Sequence, residues 1–233
     1  MQTVPKLSGN QRREAILKAV RQVFVEKGFY GTTTRELAKA AGVSEALLFK
    51  HFPSKEALYL AIQMSCFEED QSNLVEEIDA LEPSTAALVS LVHNLVLHML
   101  AERPYGENER AFVRLLLRSL MDEGEFARTA IRGGPSHWVK KVVECFGAAV
   151  ASGDAVRNEV HADVAAWFIS QMAAMVMIHF LPDKPIIQFS VSREELVEQA
   201  VWFGLRGMGV KEEAIRRHYN PATLALPTDQ KCL

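Results

Sequence analysis

The stretch Thr32 to Lys55, TTTRELAKAAGVSEALLFKHFPSK, limits the folds open to this chain more than any other. Its spacing reads as two short helices joined by a tight turn, with a third starting at once. Thr33 and Glu36 form a capping box, a hydroxyl for one free amide and a carboxylate three residues on. Leu37, Ala38 and Ala41 then share a face, and Gly42 permits the left-handed backbone that ends the helix. Val43 plugs the corner and Ser44 offers the next N-cap. The second helix, about Glu45 to His51, keeps Leu48 and Phe52 four apart for a core. That spacing turns Glu45, Ala46, Lys50 and His51 outward. Pro53 stops the helix and Ser54 caps the one after it. Two helices meeting steeply across a turn with a glycine form a helix-turn-helix. The second helix of such a corner fits a DNA major groove while the first crosses the backbone. An ordinary corner in a helical bundle shares the bare pattern, so the pattern alone does not decide.

The particular residues go further. The run GFYGTTTRELAKAAGVSEALLFKHFPSKEAL resembles the DNA-binding segment of the tetracycline-repressor (TetR) family. The elements that match are Gly28-Phe29, the Thr run, Leu37-Ala38, Ala41-Gly42-Val43-Ser44, Leu48-Phe49, His51-Phe52 and Ser54-Lys55-Glu56. The resemblance covers roughly residues 8–62. It implies an all-α fold of about nine helices. An N-terminal three-helix DNA-binding domain would span 8–54, a C-terminal helical ligand-binding and dimerisation domain 55–219, and a tail 220–233.

It also implies contacts to DNA from Thr33, Thr34, Arg35, Ser44, Glu45, Ala46, Phe49, Lys50, His51 and Lys55. Thr34, the amides opening its helix, and Lys55 would meet phosphates. Lys50 stands where relatives place a Tyr, His or Arg on DNA, so it is assigned to phosphate or guanine. Glu45 can accept from cytosine N4, and Ala46 can meet a thymine methyl. Arg35 would reach backbone or base. His51 reads as a structural or phosphate-side residue. Phe49 departs from the common Tyr and so lacks a hydroxyl for phosphate.

Charge distribution agrees with this division. Residues 1–60 hold ten Lys and Arg against five Asp and Glu, while the rest of the chain is acidic and the total is −3. A cationic head on an anionic body suits a head that meets phosphate. The chain holds three cysteines, Cys66, Cys145 and Cys232, far apart and without metal or redox spacing, which reads as reduced thiols in a cytoplasmic protein. The longest apolar run, near Ala162–Leu181, is broken by Asp163, Ser170, Gln171 and His179, so no membrane span is expected. Nothing at the N-terminus reads as a signal peptide.

Helices are expected over about 9–27, opened by Ser8 and Gln11, and over a long lever from Ser54 toward Leu81. Others are expected over about 84–101, 107–121, a short one after Gly124, and 136–152. The last two span about 161–181 and 192–208, the second opened by Ser192 and Glu195. These carry apolar residues on more than one stripe, which calls for a second surface. The simplest is the same pair in another subunit, forming a two-fold four-helix bundle. Ala165, Phe168, Ile169, Met172, Val197, Ala200, Val201, Gly204 and Leu205 are the candidates for that interface.

In relatives a small molecule bound in the body moves the helix after the recognition helix, which changes the distance between the heads and releases DNA. The resemblance therefore implies a homodimer, a palindromic operator and a hydrophobic or amphipathic effector. Residues His98, Phe112, Leu116, Trp138, Phe146, Met172, Met175 and His179 are the candidate lining. Repression is the default and activation the alternative. No Gly-rich phosphate loop, nucleophile elbow, metal cluster or paired carboxylates are found. An enzyme is not expected, nor any cofactor or metal; a protein-interaction adaptor with a degenerate head is the remaining alternative.

Overall fold

The structure, a computed structural model, describes residues 8–66, 69–101, 107–122, 124–132, 134–182 and 184–224. Thirteen helices are present among them. They are α1 (Gly9–Lys27), α2 (Thr34–Ala40), α3 (Glu45–His51), α4 (Lys55–Cys66), α5 (Glu69–Ala80), α6 (Thr85–Leu100) and α7 (Glu107–Met121). There follow α8 (Glu125–Arg132), α9 (Gly134–Ala151), α10 (Ala162–Ile178), α11 (Arg193–Met208), α12 (Glu212–His218) and α13 (Pro221–Leu224). The fold is all-α; the single isolated β-bridge among the described residues joins Ala155 to Val210.

The chain divides into two compact units. The first takes the residues up to Glu68 together with Gly106–Ile131; the second takes Glu69–Tyr105 and Arg132 onward. The sequence places the boundary at residue 54, with the helix from Ser54 starting in the head and ending in the body. In the structure α4 lies in the first unit, and so do α7 and most of α8. The reason is apolar: Leu58, Tyr59, Ala61 and Ile62 of α4, Leu115 of α7, and Phe126 and Ala130 of α8 are buried in one cluster with the head. Ile16, Leu17, Val20 and Phe24 of α1 supply its floor, and Leu37, Ala38, Leu48 and Phe52 close it. Each such large side chain contributes about 1.5–3 kcal/mol by leaving water. The Phe126 ring lies 6.0 Å from Tyr59 and 5.5 Å from Phe112. The Ala127 amide donates to buried Ser119 Oγ at 3.1 Å, which fixes how α8 follows α7. Leu120 of α7 is 56 % exposed.

The second unit is built around α6. That helix is apolar on nearly all sides, with Leu88, Val89, Leu91, Val92, Val96 and Leu100 buried, as a helix at the centre of a bundle must be. Helices α9, α10, α11, α12 and α13 pack on it. Trp138 of α9 donates its indole N–H to Leu91 O at 3.1 Å. Helix α5 lies on α9, where Lys141 Nζ donates to Asp79 O and Leu81 O at 2.8 and 3.1 Å. An ammonium satisfying the last carbonyls of a helix is favourable on hydrogen-bond and dipole grounds alike.

The long lever expected from Ser54 to Leu81 is described as two helices, and Phe67 lies outside the described residues. The helix expected over about 136–152 starts earlier, as α9 at Gly134, with Pro135 in its first turn where a missing N–H costs nothing. The tail expected from residue 220 begins with the short helix α13, packed on α6. No helix among the described residues is long and apolar enough to cross a membrane.

Candidate nucleic-acid interface

Local chemistry places α2 and α3 as the sequence suggested. Thr33 Oγ accepts from the Glu36 amide, and Glu36 Oε2 accepts from the Thr33 amide at 2.9 Å, completing the capping box. Lys27 at the end of α1 pairs with Glu36 Oε1. That ammonium, with the Thr33 amide and hydroxyl, holds the Glu36 carboxyl down at about 2. Gly42 adopts φ +65° in the turn, and the Val43 amide donates to Ala38 O at 3.0 Å. Ser44 Oγ accepts from the Leu47 amide at 3.1 Å and opens α3.

With Leu48 and Phe52 buried, α3 turns the opposite face to solvent. Glu45, Ala46, Phe49 and Lys50 are all exposed there, and Arg35 of α2 and Ser44 are exposed beside them. Arg35 and Lys50 make no ion pair among the described residues, so both charges are open to a polyanion. His51 is half-buried, and its carbonyl accepts from Arg13 Nη1 at 3.0 Å. The Arg13 guanidinium stacks 4.3 Å above the Phe52 ring, which ties the end of α3 to α1. Arg13 was not among the residues singled out from the sequence. Only its distance in space from Phe52, not in the chain, gives it this role.

Two residues expected on phosphate have partners inside the protein. Lys55 Nζ donates to Phe29 O and Thr32 O at 2.7 and 2.8 Å, and lies 4.2 Å from the Phe29 ring centre. Two of its three donors therefore brace the loop between α1 and α2, leaving one for any phosphate. Thr34 Oγ1 donates to Glu45 Oε2 at 2.9 Å, linking the first residues of α2 and α3. Tyr30, in the same loop, is 77 % exposed, its ring edge-on to Phe29.

The eight residues expected to line an effector cavity do not form one group. Phe112 and Leu116 pack on the core of the first unit. Trp138 and Phe146 are buried in the core of the second, the indole N–H already taken. His98, Met172 and His179 are half-buried and Met175 is exposed, all in the second unit. Sequence spacing could not separate them, because the return of α7 to the head is a tertiary event.

The residues expected at a two-fold interface also divide. Ala165, Ile169, Val197, Val201, Gly204 and Leu205 are buried within the single copy, where α10 meets α11. A Cβ on Gly204 would lie 2.9 Å from Ile169 Cγ1, so the small residue serves this internal approach. Phe168 remains 66 % exposed, with Met172 and Ala200 half-buried. The outer faces add Val164 on α10 and Phe203, 70 % exposed, on α11, neither named from the sequence, and Met175, expected instead in the effector cavity.

Comparison with known proteins places these features. The family model for bacterial regulatory proteins of the tetR family matches residues 16–62, the span from the buried face of α1 to α4. The HTH-type transcriptional regulator RutR of Escherichia coli is 32% identical over 115 residues, 48% of this chain and 52% of RutR. The HTH-type transcriptional activator FasR of Mycolicibacterium smegmatis is 42% identical over 57 residues, 24% of this chain and 26% of FasR. The chain thus spans about half the length of RutR. Among solved structures, AibR in complex with isovaleryl coenzyme A and operator DNA aligns with a TM-score of 0.56 at 21% identity. That alignment covers 82% of this chain and 97% of AibR, and it speaks to the fold.

Proposed function

Since the chain belongs to the tetR family of bacterial regulatory proteins, a family of regulators and not of enzymes, we propose that it is a dimeric regulator that binds a near-palindromic operator through α2 and α3. The observation that carries this reading is the outer face of α3. Leu48 and Phe52 anchor the helix from below, and Ala46 and Lys50 stand free above. A short helix held at its base and bare on its outer side is what a major groove accepts.

One head makes few contacts. Two heads about 34–36 Å apart read successive turns of the duplex and multiply the discrimination. The outer apolar stripe of α10 and α11, with Phe168, Met175 and Phe203, is the surface through which two copies pair. Covering such side chains supplies the association free energy.

The second unit takes a small hydrophobic or amphipathic effector, and effector and DNA oppose each other through one coupling free energy. AibR, solved in complex with isovaleryl coenzyme A and operator DNA, supports an effector that carries an acyl group. His179 Nδ1, buried and without a hydrogen-bond partner among the described residues, suits a polar group on such a ligand. Repression relieved by the effector is the proposed direction. Activation is the second reading, favoured by the likeness to FasR.

Footprinting on the DNA flanking the gene, with and without medium-chain acyl compounds, tests the proposal. A protected palindrome released by the ligand supports it; no protection at any salt concentration removes it. Lys50→Ala should weaken operator binding by about 1–3 kcal/mol in a fluorescence titration. Unchanged affinity and salt slope would take Lys50 out of the interface.

A further inference from the structure

We propose that the Thr34–Glu45 hydrogen bond presets Glu45 as a base reader, so that each operator half-site carries a cytosine whose N4 amino group donates to this carboxylate. The proposal rests on the reading of α2 and α3 as the DNA-binding pair and names the chemistry that pair selects.

Glu45 is the first residue of α3, the end that enters a groove foremost. An anion there is a liability over phosphate. It gains only from a donor on the groove floor. Cytosine N4 presents such a donor, whereas the N6 amino group of adenine sits beside the acceptor N7, which repels a carboxylate. A free glutamate would sample many rotamers and find that donor rarely. Here one oxygen, Oε2, is held at 2.9 Å by Thr34 Oγ1 from across the turn. The other is left to accept.

A threonine hydroxyl has one hydrogen to give. While Thr34 gives it to Glu45 it gives none to phosphate. Thr34 is therefore a positioning residue for specificity, and backbone affinity falls to the exposed cations Arg35 and Lys50. The pairing joins residues on different helices, so the two elements present their groups as one unit.

The test is selection from a randomised duplex library with the full chain and with Glu45→Gln, Thr34→Val and Thr34→Ser, followed by titrations over a range of salt. Circular dichroism melts establish that each variant is folded. The full chain should enrich cytosine at one symmetry-related position per half-site, by on the order of tenfold over other bases. Glu45→Gln should lose that preference. Thr34→Val should flatten it with the salt slope unchanged, and Thr34→Ser should restore it. Two results overturn the inference while leaving the DNA-binding reading intact. One is a Thr34→Val variant that binds every sequence more weakly, with a shallower salt slope and its base preference kept, which makes Thr34 a phosphate contact. The other is a selected site in which no position responds to Glu45→Gln. If no variant and not the full chain shows salt-dependent binding to any duplex, the DNA-binding reading falls as well.

Discussion

Gly209 ends α11 at φ +100°, and a Cβ there would lie 2.3 Å from the carbonyl oxygen of Val156. The close approach is what lets the Val156 amide donate to Gly209 O at 2.9 Å and brings Ala155 opposite Val210. Gly209→Ala meets both the strain of left-handed backbone and the carbonyl itself. We expect a loss of about 2–4 kcal/mol, seen as a lower urea midpoint with an unchanged slope. The sequence carries a glycine just after an apolar helix, a common ending. It does not carry the identity of the carbonyl beneath it, which comes from a distant turn. Thr34 and Lys55 are similar cases. Their positions were legible from the motif, but their partners, Glu45 and the two loop carbonyls, emerge only when the helices cross.

At the scale of elements, α10 and α11 are apolar on two sides. Their inner residues, among them Ile169, Val201 and Leu205, fill the core of one copy, and their outer ones, Phe168 and Phe203, do not. Periodicity revealed the excess of apolar surface. It could not say which side faces in, because both sides satisfy the same spacing. The difference is measurable. Phe168→Glu with Phe203→Glu should leave helicity and thermal unfolding nearly intact. In sedimentation the pair should raise the dimer dissociation constant by at least about thirtyfold, the equivalent of about 2 kcal/mol. Val197→Glu, on the inner side, should unfold the second unit instead, since it buries an unpaired charge. A double variant at the outer positions that stays dimeric would refute the assignment of this face.

For the chain as a whole, His93, Glu36 and Asp154 each weaken the fold on acidification. His93 is buried, and burial lowers its pKa from the ordinary 6.5, so the folded state holds it neutral. Its Nδ1 lies 3.3 Å from the Tyr219 hydroxyl, which burial pushes up to about 12 and keeps un-ionised. As pH falls below about 6.5 the unfolded chain takes up a proton that the folded chain refuses, and stability drops. Glu36 acts lower, its contribution present above about 4.5 and lost as pH falls toward about 2, through its bond to Lys27. Asp154 is held below its usual range chiefly by Thr85 Oγ1 at 2.8 Å, with Arg217 beside it, and changes in the same sense. Urea midpoints should therefore decline in two stages, one beginning as pH falls below about 6.5 and one below about 4.5. Glu36→Gln should shrink the second stage, leaving the share of Asp154, and leave the first unchanged. A midpoint constant from pH 7 to 3 would contradict the account.

Sequence alone determined what depends on near neighbours: the caps at Ser8, Thr33, Ser44, Ser84 and Ser192, the Gly42 turn, and the outward face of α3. Those bonds span three or four residues, and residue order dictates them. Tertiary structure decided the membership of α7 and α8 in the first unit, the inner side of α10 and α11, and the partners of Thr34 and Lys55. Each of these depends on which apolar faces find one another across the chain, and many faces of equal hydrophobicity compete for that choice. Only the packed whole, where volume is filled once, removes the degeneracy.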